Sequence, residues 1–144
     1  MTKLDQVFFF TLEKSIKAYR QFAQKQIDKA NIDITIDQWL VLKSVQDWPD
    51  ISQHQIAENV FKDYASVTRM IELLVKKGYL TRALHNTDRR RFNLIITKKG
   101  DSVLDKLIPI ITANRKQALK SLTNEEVENS SAFLNRIIKN CKSD

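Results

Sequence analysis

Apolar residues recur along this chain at helical spacing, except in two short runs past its middle. Leu4, Phe8, Leu12, Ile16, Tyr19, Ala23, Ile27 and Ala30 follow that spacing and predict one long amphipathic helix over residues 4–30. Three later helix starts share one device. Thr35 with Gln38, Ser52 with Gln55 and Thr123 with Glu126 have the spacing of capping boxes. In such a box the first oxygen accepts from the later residue's amide, and the later side chain accepts from the first residue's amide. Each is flanked by the apolar pair of a hydrophobic staple: Ile34 with Trp39, Ile51 with Ile56, Leu122 with Val127. The helix from Thr35 should end near Trp48-Pro49, because a proline pushes its predecessor out of the helical region. The helix from Ser52 runs to about Val60. Asp63 can cap a further helix through Lys77, and Gly78 suits the left-handed stop.

From Tyr79 the pattern changes. Residues 79–84 and 92–96 are β-rich runs separated by the polar stretch 85–91, which reads as a hairpin. Thr97 then caps a long helix in which Pro109 should introduce a kink. The last helix, from Thr123 to about Cys141, carries Val127, Leu134, Ile137, Ile138 and Cys141 as one stripe. A helix-turn-helix followed by a hairpin is a winged helix. The expected fold is therefore mainly α (α+β), with a winged helix-turn-helix DNA-binding domain at 35–100. Residues 1–34 and 101–144 bear more apolar stripe than one small winged helix can cover, so they form a helical dimerisation region.

Composition narrows the function without naming it. The 144 residues, 42% hydrophobic and 28% charged, describe an ordinary soluble domain. No apolar run approaches the roughly 20 residues that span a bilayer, so no membrane association is expected. One cysteine and no targeting segment point to the cytoplasm. Charge is more telling. Lys76, Lys77, Arg82, Arg89, Arg90, Arg91, Lys98 and Lys99 face the single acid Asp88, so this run holds the whole formal charge of +7. A neutral body with one cationic projection is the footprint of a protein that docks on a polyanion.

The helix from Asp63 has what a major-groove reader needs. Val67, Ile71 and Leu74 cluster on one side; Ala65, Arg69, Glu72 and Lys76 face the other, with Ser66 and Thr68 on the shoulders. Small Ala65 and Ser66 allow close approach at the helix N-terminus, where free amides favour phosphate. Arg69 can reach guanine in a bidentate fork. A solvated helix face is the plainer alternative, and the dipole alone explains lysines at a helix end. At the hairpin tip, Arg89, Arg90 and Arg91 repel one another unless a polyanion neutralises them, and Asp88 would brace an arginine towards the minor groove. Lys62, Tyr64 and Arg82 complete the candidate interface.

The ordered set Ser66-Val67-Thr68-Arg69, Leu74 through Arg82, Asp88 through Arg91 and Thr97-Lys98-Lys99-Gly100 resembles the MarR family of winged-helix transcriptional regulators. The likeness covers nearly the whole chain. It implies that Asp88 and Arg90 form the family's Asp-x-Arg wing motif, with Arg90 in the minor groove. It also implies a homodimer built from the terminal helices, palindromic operators on double-stranded DNA, and release by a small ligand, most simply as a repressor. One departure stands out: Phe61-Lys62 occupies the place where the family usually has a glycine and an aliphatic residue. Lys62 would add a phosphate contact.

Other chemistry is sparse. His54, His85 and Cys141 lack metal-ligand spacing, and no catalytic motif or cofactor fingerprint is present. Cys141, on its apolar stripe, reads as a packed thiol. The resemblance implies an effector site between the dimer helices and the DNA-binding module, often for aromatic acids or phenols. Phe9, Phe10, Tyr19, Phe22 and Trp39 are candidates to line it, with core or dimer contact as the plainer role. The rival to DNA binding is a winged helix whose arginines meet an acidic protein. The hydroxyl-bearing recognition face speaks against it, because protein-binding faces show more apolar anchors.

Overall fold

Hydrogen bonds at the helix starts carry out what the residue spacing dictates. In the computed structural model, which describes residues 2–84 and 92–142, Thr35 Oγ1 accepts from the Gln38 amide at 3.1 Å while Gln38 Oε1 accepts from the Thr35 amide at 3.1 Å. Ser52 with Gln55 and Thr123 with Glu126 close the same reciprocal pairs. These boxes open α2 (Ile36–Asp47), α3 (Gln53–Val60) and α6 (Asn124–Lys142). The remaining elements are α1 (Phe8–Lys29), α4 (Tyr64–Lys76), β1 (Leu80–Leu84), β2 (Phe92–Ile96) and α5 (Lys98–Ala118). The strands pair antiparallel with Leu80 opposite Ile96 and Arg82 opposite Leu94. Helix α5 continues through Pro109.

Two expectations need correction. The first helix is not continuous from Leu4: Leu4–Gln6 form a 3₁₀ turn, Val7 is extended at φ −85° and ψ 121°, and α1 begins at Phe8. Val7 is β-branched and suits extended backbone, while Leu4, Phe8 and Phe9 are exposed, so no packing pulls the first turn into line. Cys141, expected to be packed, is exposed, because α6 buries none of its residues in a single chain.

One core unites the rest. Val41, Leu42, Ile56, Val67, Ile71 and Leu74 from α2, α3 and α4 share a cluster with Ile27 and Ile34 before them and Val103, Leu104 and Leu107 after them. The winged module is therefore packed directly on α1 and α5.

The base of the hairpin is a tight hydrogen-bonded joint. Gly78 has φ +83°, a backbone region that glycine enters without steric penalty. Thr97 donates its hydroxyl to the Gly78 carbonyl, its amide donates to the Tyr79 carbonyl at 3.1 Å, and its Oγ1 accepts from the Gly100 amide at 3.0 Å. A Cβ on Gly100 would come within 2.3 Å of the Tyr79 carbonyl oxygen. The segments Lys77-Gly78-Tyr79 and Thr97-Lys98-Lys99-Gly100 thus lock the second strand's end to the end of α4, which fixes where the wing begins relative to α4.

Candidate nucleic-acid interface

The N-terminal turn of α4 is built by Asp63. Its carboxylate accepts from the Ser66 amide at 2.7 Å, and the backbone and hydroxyl of Ser66 hold its pKa below the ordinary 3.8. The folded value is the lower one. The cap's contribution is therefore complete above 3.8 and is lost only as pH falls through the depressed value. This cap also occupies one of the amides that the sequence offers to phosphate.

On the outward side of α4, Tyr64, Ala65 and Arg69 are exposed and Ser66 is half-buried. Arg69 Nη2 lies 3.5 Å from Ser66 Oγ. Thr68 faces inward more than the wheel suggests: its hydroxyl donates to the Tyr64 carbonyl at 3.0 Å and accepts from Gln53 Nε2. The Tyr64 ring stands 4.4 Å from the ring of His54. Gln53 and His54, at the start of α3, therefore border the candidate interface. In the linear sequence His54 stands out only as a metal-ligand candidate, and nothing local marks Gln53. Only the crossing of α3 with α4, which no local pattern reports, brings them there.

The cationic run divides by task. Lys76 and Arg82 are exposed, at the end of α4 and on β1. Lys77 instead reaches back to Asp33 Oδ1 at 3.1 Å and Gln38 Oε1 at 3.0 Å, tying α4 to the start of α2. Lys99 Nζ donates to the Lys77 carbonyl at 2.8 Å and lies 5.4 Å from the Tyr79 ring centroid. These two charges brace the joint. Lys62 is exposed in the turn before α4. Asp88, Arg89, Arg90 and Arg91 lie outside the described residues.

Replacing Arg69 with alanine should cost roughly 1–3 kcal/mol of operator binding and relax preference at particular base pairs. Titration against operators substituted one position at a time checks this, and a loss equal at every position would reassign Arg69 to the phosphates.

Behind the interface lies a mostly apolar cavity of about 460 Å³, a ligand-sized volume. Its walls come from α1 (Tyr19, Arg20, Ala23), α2 (Ile36, Trp39, Leu40), the turn after α3 (Phe61) and the end of α5 (Ile111, Asn114, Arg115, Ala118). Of the expected aromatic set, Tyr19 and Trp39 line it. Phe9, Phe10 and Phe22 are not among its walls: Phe9 is exposed near the start of α1, where its ring packs edge-on against Phe8 at 5.3 Å. Arg20 is committed to Asp37. Asn114 is 3% exposed and its Nδ2 has no hydrogen-bond partner among the described residues. No sequence signal marked it, since an asparagine within a helix reads as an exposed polar position. A second groove, of about 540 Å³, is rimmed by Asp47, Asp50 and Glu58, the wrong charge for a nucleic acid.

The comparisons with known proteins agree with this geometry. The MarR family model matches residues 34–92. The chain is 30% identical over 118 residues to the uncharacterised HTH-type transcriptional regulator YybA of Bacillus subtilis (strain 168), covering 82% of this chain and 79% of that protein. It is 28% identical over 142 residues to MhqR, an HTH-type transcriptional regulator of the same organism, covering 99% and 97%. Among solved structures, BpsR of Bordetella bronchiseptica superposes with a TM-score of 0.83 at 19% identity, over 100% of this chain and 99% of that one. The recognition helix, the wing joint and these relatives lead to one conclusion: the chain belongs to the MarR family and is a DNA-binding transcription regulator, not an enzyme.

Proposed function

We propose that the protein is a homodimeric, ligand-responsive repressor of palindromic operators, with Arg69 in the major groove and Arg90, braced by Asp88, in the minor groove. The observation that carries the dimer is surface area. A compact monomer of 16.8 kDa would expose roughly 7,700 Å², whereas this chain exposes 10935 Å². The excess of roughly 3,300 Å² per chain, about 6,600 Å² over two copies, is enough to supply an obligate subunit interface, which buries roughly 2,000–5,000 Å² or more in total. Much of it is apolar: Phe8, Phe9, Ile16, Ile108, Leu122, Phe133 and Ile138 are all exposed, on helices α1, α5 and α6 or in the turn between the last two. A second copy covering these helices is the occupant that two-fold symmetry supplies.

Ligand response is supported by the cavity. Apolar walls with a few polar groups suit an aromatic effector, and the unpartnered Asn114 amide is a donor that a ligand oxygen would satisfy. BpsR has its DNA binding regulated by 6-hydroxynicotinic acid, which is an aromatic acid. By the same reading the protein works in the cytoplasm; among the described residues no helix is long and apolar enough to cross a membrane.

Sequencing genomic fragments retained by the purified protein tests the proposal. An inverted repeat should emerge, with half-sites about one helical turn (~34 Å) apart; a single unrepeated site would overturn the two-fold arrangement. On such a duplex, a log–log plot of affinity against salt should slope by several negative units, because each neutralised phosphate releases counterion. The structural duties of Lys77 and Lys99 make that slope shallower than the full cationic run would give. A flat plot would mean that the cationic surface does not meet phosphate.

A further inference from the structure

Phe61 combines three properties that are rarely found together. It is the C-cap of α3 and has left-handed backbone, φ 60° and ψ 39°, a region that a bulky side chain seldom enters. The residue is 85% exposed. It nevertheless lines the apolar cavity, together with Trp39 and Leu40 of α2 and Ile111 and Ala118 of α5.

Its position in the chain matters as much as its surroundings. The Phe61 amide donates to Glu58 and the Lys62 amide to Ala57, at 3.3 and 3.1 Å, so the turn is stitched to the last turn of α3. Two residues on, Asp63 caps α4. Of the cavity's walls, Phe61 alone belongs to the turn that joins α3 to the recognition helix. Strained backbone of this kind persists where surrounding structure holds it, and an open apolar cavity leaves the ring's side of the turn only partly held.

We propose that Phe61 is the residue that reports cavity occupancy to the recognition helix. An apolar group entering the cavity packs against the exposed ring, because that contact removes apolar surface from water. The ring's new position is passed through the α3–α4 turn to the Asp63 cap and so to the tilt of α4. Glycine in the same place would relieve the backbone strain and leave nothing for the ligand to push. Phe61 is a positioning residue in this scheme, since it acts on DNA binding through α4. The inference rests on the ligand-responsive reading above.

The test places a known aromatic group in the cavity covalently, so that no natural effector is needed. Cys141 is the one cysteine of the chain. Cys141→Ser with Ala118→Cys therefore gives a full-length protein with a single thiol on the cavity wall, to be labelled with benzyl methanethiosulfonate and checked by mass spectrometry. The readout is each protein's affinity for a duplex it selected from a random pool, labelled against unlabelled. With Phe61 in place, the label should lower affinity at least tenfold. In Phe61→Gly the same label should change it less than twofold, and Phe61→Tyr, which keeps the ring, should respond like the parent. An equal loss in the glycine variant would overturn the role of Phe61 while leaving the cavity coupled to DNA. No response in any of the three would sink both this inference and the ligand-responsive reading beneath it.

Discussion

Leu134→Glu combined with Ile138→Glu should convert the protein to a monomer and lower operator affinity by about two orders of magnitude. The two positions lie one turn apart on α6, a helix that buries none of its residues within its own chain, so the substitutions remove nothing from the protomer's core. What they add is four carboxylates to a face that two subunits would share, and burying unpaired charge is prohibitive. Operator binding falls because linking two half-site readers multiplies affinity by roughly 10²–10⁴, and a monomer forfeits that gain. Light scattering at tens of micromolar, alongside titration of a palindromic duplex and its half-site, gives the answer. A double variant that stays dimeric would remove α6 from the interface. A monomer that binds the palindrome as tightly as the parent would remove the dimer from the mechanism.

Gly100→Ala should be the most damaging small substitution in the wing joint. The added methyl would meet the Tyr79 carbonyl oxygen at 2.3 Å and Ile96 Cγ2 at 2.8 Å, and the first of these is backbone that cannot rotate away. Overpacking of this kind costs about 1–3 kcal/mol, here at the upper end. Alanine's better helix propensity returns roughly 1 kcal/mol. A net loss of about 2 kcal/mol corresponds to a Tm fall of roughly 4–8 °C at this chain length. Gly78→Ala provides the contrast: its φ of +83° strains any L residue, but its Cβ would meet only the flexible Lys99 side chain at 3.6 Å. It should cost about 1 kcal/mol. Urea titrations of both variants rank them, and a larger loss at Gly78 would mean that close approach at Gly100 is relieved by movement of β1. Because the joint fixes where the wing begins, Gly100→Ala should also weaken duplex binding, measured at a temperature where it remains folded.

Local chemistry was enough to read most of the architecture from the residues alone. A capping box needs only two side chains three positions apart, and so Thr35, Ser52 and Thr123 announced their helices without reference to the rest of the molecule. The hairpin followed from β-rich runs about a polar stretch, and the solvent-facing side of α4 from the 3.6-residue period. The clustering of positive charge is equally a property of the linear order. Long-range features were not legible. Periodicity runs the first helix back to Leu4, yet only a packing partner would hold that turn helical, and none covers it among the described residues. Lys77 and Lys99 are only two members of the cationic run in the linear order; the fold alone carries Asp33 and the end of α4 to them. Phe9, Phe10 and Phe22 were grouped with Tyr19 and Trp39 by residue type. Which aromatic rings share a cavity depends on how α1 rotates against α2 and α5, and that rotation is set by the shared core. Asn114 and Phe61 became notable only when packing left one amide buried with no partner among the described residues and one exposed phenylalanine lining the same cavity. Capping, strand propensity and charge act over a few residues and are written in the sequence; burial and apposition are sums over distant residues and exist only once the chain has folded.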